Sequence, residues 1–135
     1  MNFNSQICTT REQSKRLLAL GLKRETADMM YQNYRGHCIG FGYDKYPKCI
    51  TDLNILRDVD IPAWSLHRLI EMMPTVITRD DYPLTLGVNT TCVYYADGEY
   101  AEAFNTFEGN LYGCIVKCIE WLIKEGYFNK EYLKE

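Results

Sequence analysis

The most regular alternation of apolar and polar residues lies near the C-terminus, over residues 110–125. With about 100° between successive side chains of a helix, one broad arc of this stretch is apolar and the opposite stripe is charged. The apolar set is Leu111, Cys114, Ile115, Cys118, Ile119, Trp121, Leu122 and Ile123, and the charged set is Lys117, Glu120 and Lys124. Thr106 or Asn110 can cap its start, and Gly126 suits its end. The pattern predicts a long, largely buried helix.

Two overlapping capping boxes, Thr9 with Glu12 and Thr10 with Gln13, predict the start of an N-terminal helix. A glycine at position 21 is typical of the residue that follows a helix, so the helix should end near there. Its expected buried side is Leu17, Leu18 and Leu20.

Two further helices are expected before the strands begin. Residues 22–31 predict a short second helix that turns Met29, Met30 and Tyr31 toward the core. Residues 61–74, which contain a proline near each end, predict a third helix, for which Ser65 is a suitable N-cap. Its expected apolar face is Leu66, Leu69, Ile70 and Met73.

Strand-like patterns follow at residues 84–88, 91–96 and 99–104. Asp97-Gly98 is typical of a two-residue hairpin turn. Such a turn places Tyr95 opposite Tyr100, and it also fixes which residues share a face. One face would then carry Cys92, Tyr94, Ala101 and Ala103, and the other Val93, Tyr95, Tyr100, Glu102 and Phe104.

The first of these faces has small residues where a helix can approach closely. We therefore expect the C-terminal helix to pack there, with Cys114 and Cys118 facing Cys92, Ala101 and Ala103. Tyr95 and Tyr100 would remain available to other helices or to a partner. Together these elements predict one α+β domain over residues 1–135, in which N-terminal helices precede a small antiparallel β-meander and a buried closing helix.

Composition narrows the class of protein. The chain has 135 residues, 47% of them hydrophobic, with a net charge of −3. These values are typical of a soluble globular protein, and the acidic balance argues against a general binder of nucleic-acid backbone. We see no secretory signal and no membrane-spanning stretch, so a cytoplasmic location and six reduced cysteines are expected, without a membrane partner.

Tyrosine is unusually frequent, with 11 copies. Several lie in the glycine-rich segment 33–48, which reads as a long loop or as one that hides a short strand pair at 37–43. Tyrosine rings give a large contact area and a hydroxyl for a wet rim, so they indicate a protein-binding surface. The alternative is that the rings cover a thin core. The candidate binding residues are Tyr34, His37, Phe41, Tyr43, Tyr46, Tyr95 and Tyr100, with Tyr31 beside them.

No set of residues assembles into a catalytic or metal-binding signature. His37, Cys38 and Cys49, with Cys8 or Cys92, lack the paired short spacing of a zinc site. Other candidates considered were the dyads His37 with Cys38 and Ser65 with His67, and the acid pairs Asp58 with Asp60 and Asp80 with Asp81. We expect no catalytic residue, metal or cofactor. An enzyme or ligand-binding protein with a pocket lined by the loop 33–48 is one alternative.

A DNA-binding regulator is the other alternative. Residues 11–31 have the outline of a helix, a glycine turn and a second helix. Local positive charge comes from Lys15, Arg16, Lys23 and Arg24. Glu25 and Asp28 lie where contacts to phosphate or bases would be needed, which weighs against this reading.

Several stretches resemble small uncharacterised proteins of prophages and mobile elements in gut Bacteroidales. They are residues 10–14 (TREQS), 17–22 (LLALGL), 26–29 (TADM), 61–66 (IPAWSL) and 120–127 (EWLIKEGY). That family has no established activity, so the resemblance implies an accessory or interaction protein and no catalytic residue. The leading hypothesis is a non-enzymatic interaction protein of mobile-element origin that self-associates or binds another protein.

Overall fold

A computed structural model describes residues 5–33, 42, 46–97, 102–106 and 110–135, with the backbone only at Glu102. The chain divides into two compact units, Met1–Leu69 and Ile70–Glu135, which are described separately. The described residues combine helices with two antiparallel sheets, which confirms the predicted α+β class. The single domain over residues 1–135 stays a prediction.

Helix α1 of the first unit spans Arg11–Ala19. Of the two capping boxes, the second forms: Gln13 N–H donates to Thr10 Oγ1 at 3.1 Å, and Thr10 N–H donates to Gln13 Oε1 at 2.9 Å. Gly21 follows the helix with φ 104°, a left-handed conformation that suits glycine. Leu17 is fully buried, which confirms the expected buried side at that position.

The predicted second helix over residues 22–31 is wrong. A 3₁₀ turn occupies Arg24–Thr26, and strand β1 follows at Met29–Tyr31. All three residues of β1 are buried. A strand covered on both faces has consecutive apolar residues, which periodicity alone cannot separate from part of a buried helix.

Strand β1 is the centre of a three-stranded antiparallel sheet with β2 (Lys48–Cys49) and β3 (Ile61–Ala63) at its edges. Met29 pairs with Cys49 on one side and with Ala63 on the other. The expected helix start at 61 is therefore wrong. Pro62 has no N–H to donate, which suits an edge strand.

Helix α2 spans Leu66–Met72 and is shorter than the predicted 61–74. Ser65 caps it, as expected, because the N–H of Arg68 donates to Ser65 Oγ at 3.2 Å. Strand β3, which precedes α2, contains Ile61–Ala63, and these are the residues that were expected to form the first helical turn.

The second unit contains a four-stranded antiparallel sheet in the order β4-β5-β6-β7. The strands are β4 (Val76–Arg79), β5 (Tyr82–Val88), β6 (Val93–Ala96) and β7 (Glu102–Thr106). β4 was not predicted. Asp80 and Asp81, which join β4 to β5, have φ of 51° and 67°. Aspartate tolerates this left-handed conformation better than most residues.

The predicted register of the β6–β7 hairpin is wrong. Tyr95 lies opposite Phe104, and Ala96 opposite Glu102, with an irregularity between Tyr95 and Ala96. Five residues therefore separate Ala96 from Glu102, where a two-residue turn was expected. The observed register places the rings of Tyr95 and Phe104 side by side against Trp121, at centroid distances of 6.0 and 5.1 Å.

Helix α3 spans Leu111–Glu125 and confirms the predicted closing helix. Asn110 caps its start by accepting from the N–H of Gly113, and Gly126 ends it with φ 82°. Seven of its residues are buried: Tyr112, Cys114, Ile115, Val116, Cys118, Ile119 and Leu122.

The helix packs on β6 and β7, but on the face opposite to the predicted one. Tyr95 and Val93 are fully buried on the helix side, whereas Tyr94 is half-buried on the other side. The expectation that Cys114 and Cys118 face Ala103 is therefore wrong, because Ala103 alternates with Phe104, which packs on the helix. Ala101 lies outside the described residues. The cause is size, since the large rings of Tyr95 and Phe104 bury more apolar area against Trp121 than alanines do.

Candidate functional site

Most of the predicted aromatic site falls outside the part of the chain that the structure describes. Tyr34, His37, Phe41, Tyr43 and Tyr100 lie there, as do Cys38 and, apart from Gly42, the suggested strand pair 37–43. Tyr46 is described, and 73% of its surface is exposed. It is the one predicted binding residue that the described structure places at the surface.

Two tyrosines assigned to the surface are buried. Tyr95 is fully buried, and its hydroxyl donates to the carbonyl oxygen of Pro74. Tyr31 is 8% exposed, and its hydroxyl donates to the carbonyl oxygen of Thr9 at 2.9 Å. Burial raises the pKa of both hydroxyls. The binding role predicted for Tyr95 is therefore wrong. For Tyr95 and Tyr31, the alternative that the rings belong to the core is correct.

An exposed apolar stretch, which we call the 46–59 segment, was missed by the sequence reading. Leu53 is 100% exposed and Ile55 is 65% exposed, and Tyr46 lies at the start of the same segment. Contiguous exposed apolar surface marks a site of protein contact, whereas apolar side chains exposed singly are ordinary. Sequence could identify these residues as apolar, but their exposure depends on the turn that carries them.

A tight turn presents Leu53 to the surface. Thr51 and Asn54 exchange backbone hydrogen bonds at 3.1 Å, which places Leu53 near the tip of the turn. The side-chain amide of Asn54 also donates to the carbonyl oxygen of Cys49 at 3.2 Å. The turn is thus tied to the edge strand β2.

The other end of the 46–59 segment is held by a buried carboxylate. Asp60 is 2% exposed and accepts from the guanidinium of Arg57 at 3.0 Å, and from the backbone N–H groups of Arg57 and Asn33 at 2.9 Å. Burial acts to raise the pKa of Asp60, but the hydrogen bonds from Arg57 and Asn33 outweigh it and hold the pKa below its usual range. Asp60 is therefore a charged anchor, and its burial does not fit the acid pair proposed with Asp58.

Arg24 strengthens the same anchor. Its guanidinium donates to the carbonyl oxygens of Arg57 and Asp60, both at 2.9 Å. This residue was a candidate phosphate contact in the helix-turn-helix reading. Arg24–Thr26 form a 3₁₀ turn and Met29–Tyr31 form a strand, so α1 is not followed by a second helix within residues 11–31. The predicted helix-turn-helix outline is therefore wrong.

Ser65 has a structural role. Its hydroxyl donates to Asp28 Oδ2 in a short hydrogen bond, and its N–H donates to Asp28 Oδ1 at 2.8 Å. Ser65 Oγ also accepts from the first turn of α2. Asp28, which directly precedes β1, thus links this strand to the N-cap of α2. This contact gives a structural role to an acidic residue that the sequence had indicated only as unfavourable for DNA binding.

No disulfide joins any two of the five described cysteines, Cys8, Cys49, Cys92, Cys114 and Cys118. Burial raises the pKa of Cys118 to about 12. A buried thiol of this kind is a small apolar side chain rather than a nucleophile. Within the described ranges, no group of three or more His, Cys, Asp or Glu residues is arranged to hold a metal ion.

Among the described residues of the second unit, two large apolar side chains are exposed, Val76 on β4 and Tyr82 on β5, at 49% and 63%. Arg79 lies opposite Tyr82 in the ladder, and Val76 is three residues before Arg79. Because side chains alternate along a strand, Val76 and Tyr82 point to opposite faces of the sheet. They do not form one apolar surface.

None of the helices in the described parts of the chain is long and apolar enough to cross a membrane. Comparison with protein-family models finds no match, and neither curated proteins nor solved structures yield one.

Proposed function

We propose that the chain is a non-enzymatic interaction protein of mobile-element origin that acts in the cytoplasm and binds a protein partner through the 46–59 segment. The observation that carries this proposal is the full exposure of Leu53 in a segment that also exposes the apolar side chains of Tyr46 and Ile55. The mobile-element origin rests on the sequence resemblance alone.

Burial of this segment would favour association. Covering a fully exposed leucine or isoleucine side chain contributes about 1.5–3 kcal/mol. The Asp60 anchor and the Thr51–Asn54 turn already order the segment, so binding does not carry the full cost of fixing a flexible loop. Of the exposed apolar side chains in this segment, Tyr46 belongs to a residue type that is enriched among interface hot spots.

The charges around these side chains indicate the chemistry of the partner. Lys48 and Arg57 are exposed and positive, and Asp52 and Asp58 are exposed and negative. A balanced segment of this kind favours a partner surface that is apolar and carries little net charge. A second copy of the same segment meets this description, because two such faces meet without net repulsion.

Contact through side chains is favoured over addition of a strand to β2. The outward carbonyl of Cys49 already accepts a hydrogen bond from Asn54. A partner strand would have to displace that amide before it could pair with the edge.

The test uses the double variant Leu53→Asp/Ile55→Asp, with Val76→Asp/Tyr82→Asp as the control at two exposed apolar positions of the other unit. Light scattering of the purified chain measures self-association, and pull-down with quantitative mass spectrometry measures other partners. We expect association in the wild type and the control, its loss in the 53/55 variant, and little weakening at high salt. A monomeric wild type that captures the same proteins as the 53/55 variant would overturn the proposal.

A further inference from the structure

One face of the three-stranded sheet gathers sulfur atoms. Met29 on β1 lies opposite Cys49 on β2, and residues directly opposite in an antiparallel pair share a face. Tyr31 lies on this face too, two residues after Met29. A buried cluster on this face consists of Cys8, Met29, Tyr31, Ile61 and Ala63.

The sulfur atoms of this face make close contacts. Cys49 Sγ lies 3.6 Å from Met29 Sδ, and the thiol is the donor because a thioether only accepts. Cys8 Sγ lies 3.7 Å from the hydroxyl oxygen of Tyr31. The Tyr31 hydroxyl proton is directed to the carbonyl of Thr9, so in this contact the Cys8 thiol is the donor and the lone pairs of its sulfur face elsewhere.

We propose that Cys49, Met29 and Cys8 form a binding site for a soft monovalent metal ion, Cu(I). Thiolate and thioether sulfur are the ligands that select Cu(I) among biological metals. On binding, each thiol that ligates the ion releases its proton to solvent, and the sulfur lone pair forms the bond. The copper remains Cu(I), so no electron donor or acceptor is required.

The surroundings favour this ion over zinc. A structural zinc site takes four ligands from cysteine, histidine and carboxylate side chains. The described residues provide no group of three or more such side chains, and here the third ligand is a neutral methionine. Cys49 is exposed on the edge strand, whereas Met29 and Cys8 are 8% and 2% exposed. Cys49 is therefore the sulfur ligand that solvent reaches.

The test is an anaerobic titration of the full chain with Cu(I) against the chromophoric chelator bicinchoninate. The decisive comparison is Met29→Leu with Met30→Leu. Both replacements conserve volume in the core, but Met30 points to the opposite face of β1. Free thiols bind Cu(I) without specificity. A loss of Cu(I) affinity on removal of the Met29 thioether, but not of the Met30 thioether, therefore identifies the site.

We expect one Cu(I) to be retained by the wild type and by Met30→Leu. In Met29→Leu and Cys8→Ser the affinity should fall by more than roughly tenfold, which is what loss of even an outer-shell partner of a metal ligand costs. In Cys49→Ser the site should be lost. Circular dichroism of each variant shows whether it is folded, and Cu(I) should raise the Tm of the wild type but not that of Met29→Leu.

Equal affinity in Met29→Leu and Met30→Leu would overturn the proposal, because binding would then be due to thiols in general. Unchanged affinity in Cys8→Ser would contradict the three-sulfur site. Retention of Zn(II) in preference to Cu(I) would contradict the soft-ion assignment. These outcomes do not depend on the 46–59 segment, so they leave the proposed function untouched.

Discussion

Tyr95 Oη donates a hydrogen bond of 2.6 Å to the carbonyl oxygen of Pro74. The bond joins strand β6 to the chain just before β4, and the rest of the tyrosine is fully buried beside Trp121. Tyr95, which the sequence had indicated as part of a binding surface, therefore connects two segments in the interior of the second unit.

The variant Tyr95→Phe should lower the free energy of unfolding by about 1 kcal/mol, because it leaves a partly buried carbonyl without its donor. Urea denaturation measures the change. Tyr94→Phe, on the neighbouring half-buried residue, is the control and should stay within about 0.5 kcal/mol of the wild type. Equal effects of the two variants would show that the Pro74 contact contributes nothing specific.

Gly87 lies beneath the ring of Tyr94, its partner in the β5–β6 ladder. A Cβ at position 87 would come within 2.1 Å of Tyr94 Cζ, so Gly87→Ala must displace the ring. We expect Gly87→Ala to be destabilising in the wild type and milder in a Tyr94→Ala background, with a coupling energy of about 0.5–3 kcal/mol. A double-mutant cycle by chemical denaturation measures this, and additive effects would contradict the close approach.

The carboxyl of Asp60 should make stability depend on acid pH. Its folded-state pKa is held below the ordinary value of 3.8, mainly by Arg57 against the effect of burial. Its contribution is therefore fully present above that ordinary value and is lost as the pH falls through the lower folded-state pKa. Unfolding free energies measured between about pH 2 and pH 6 should fall less steeply toward acid in Asp60→Asn than in the wild type.

The same Asp60→Asn variant should be less stable at neutral pH, by roughly 1–3 kcal/mol, since a charge-assisted set of hydrogen bonds is weakened. Asp58→Asn, at the exposed position two residues earlier, is the matched control. A wild-type acid slope that persists in Asp60→Asn would assign the pH dependence to other carboxyls.

Adjacent positions on α3 should differ sharply in their tolerance of substitution. Cys118 is fully buried, whereas Lys117 is exposed. Cys118→Arg should prevent folding of the second unit because it buries an unpaired charge, and Lys117→Ala should change the unfolding free energy by less than about 0.5 kcal/mol. Circular dichroism and thermal denaturation compare the two, and a folded Cys118→Arg would contradict the observed orientation of the helix.

The parts of the fold that sequence predicted correctly are those in which local signals agree with burial. Helix α3 has a strong apolar arc and residues at both ends that cap or terminate a helix, and α1 has a capping box. The predicted β6–β7 register was wrong because it relied on the local turn preference of Asp97-Gly98. The packing of Tyr95 and Phe104 on Trp121 outweighs this preference, and that packing is visible only in three dimensions.

From the sequence, the type of the candidate surface could be predicted, but most of its residues could not. An aromatic interaction surface near residue 46 was expected, and Tyr46 is exposed there. Leu53 and Ile55 were not anticipated, because apolar residues in sequence normally indicate the core. Their exposure follows from a turn tied down by Asn54 and from the Asp60 anchor, neither of which has a periodic signature.

The two edges of the three-stranded sheet also limit how large an assembly can become. At one edge the amide of Asn54 occupies an outward carbonyl of β2, and at the other Pro62 brings a residue without an N–H into β3. Copies that stacked edge to edge would lack the regular ladder on which an open-ended fibril is built. Growth of this unit into an open-ended fibril through its sheet edges is therefore disfavoured.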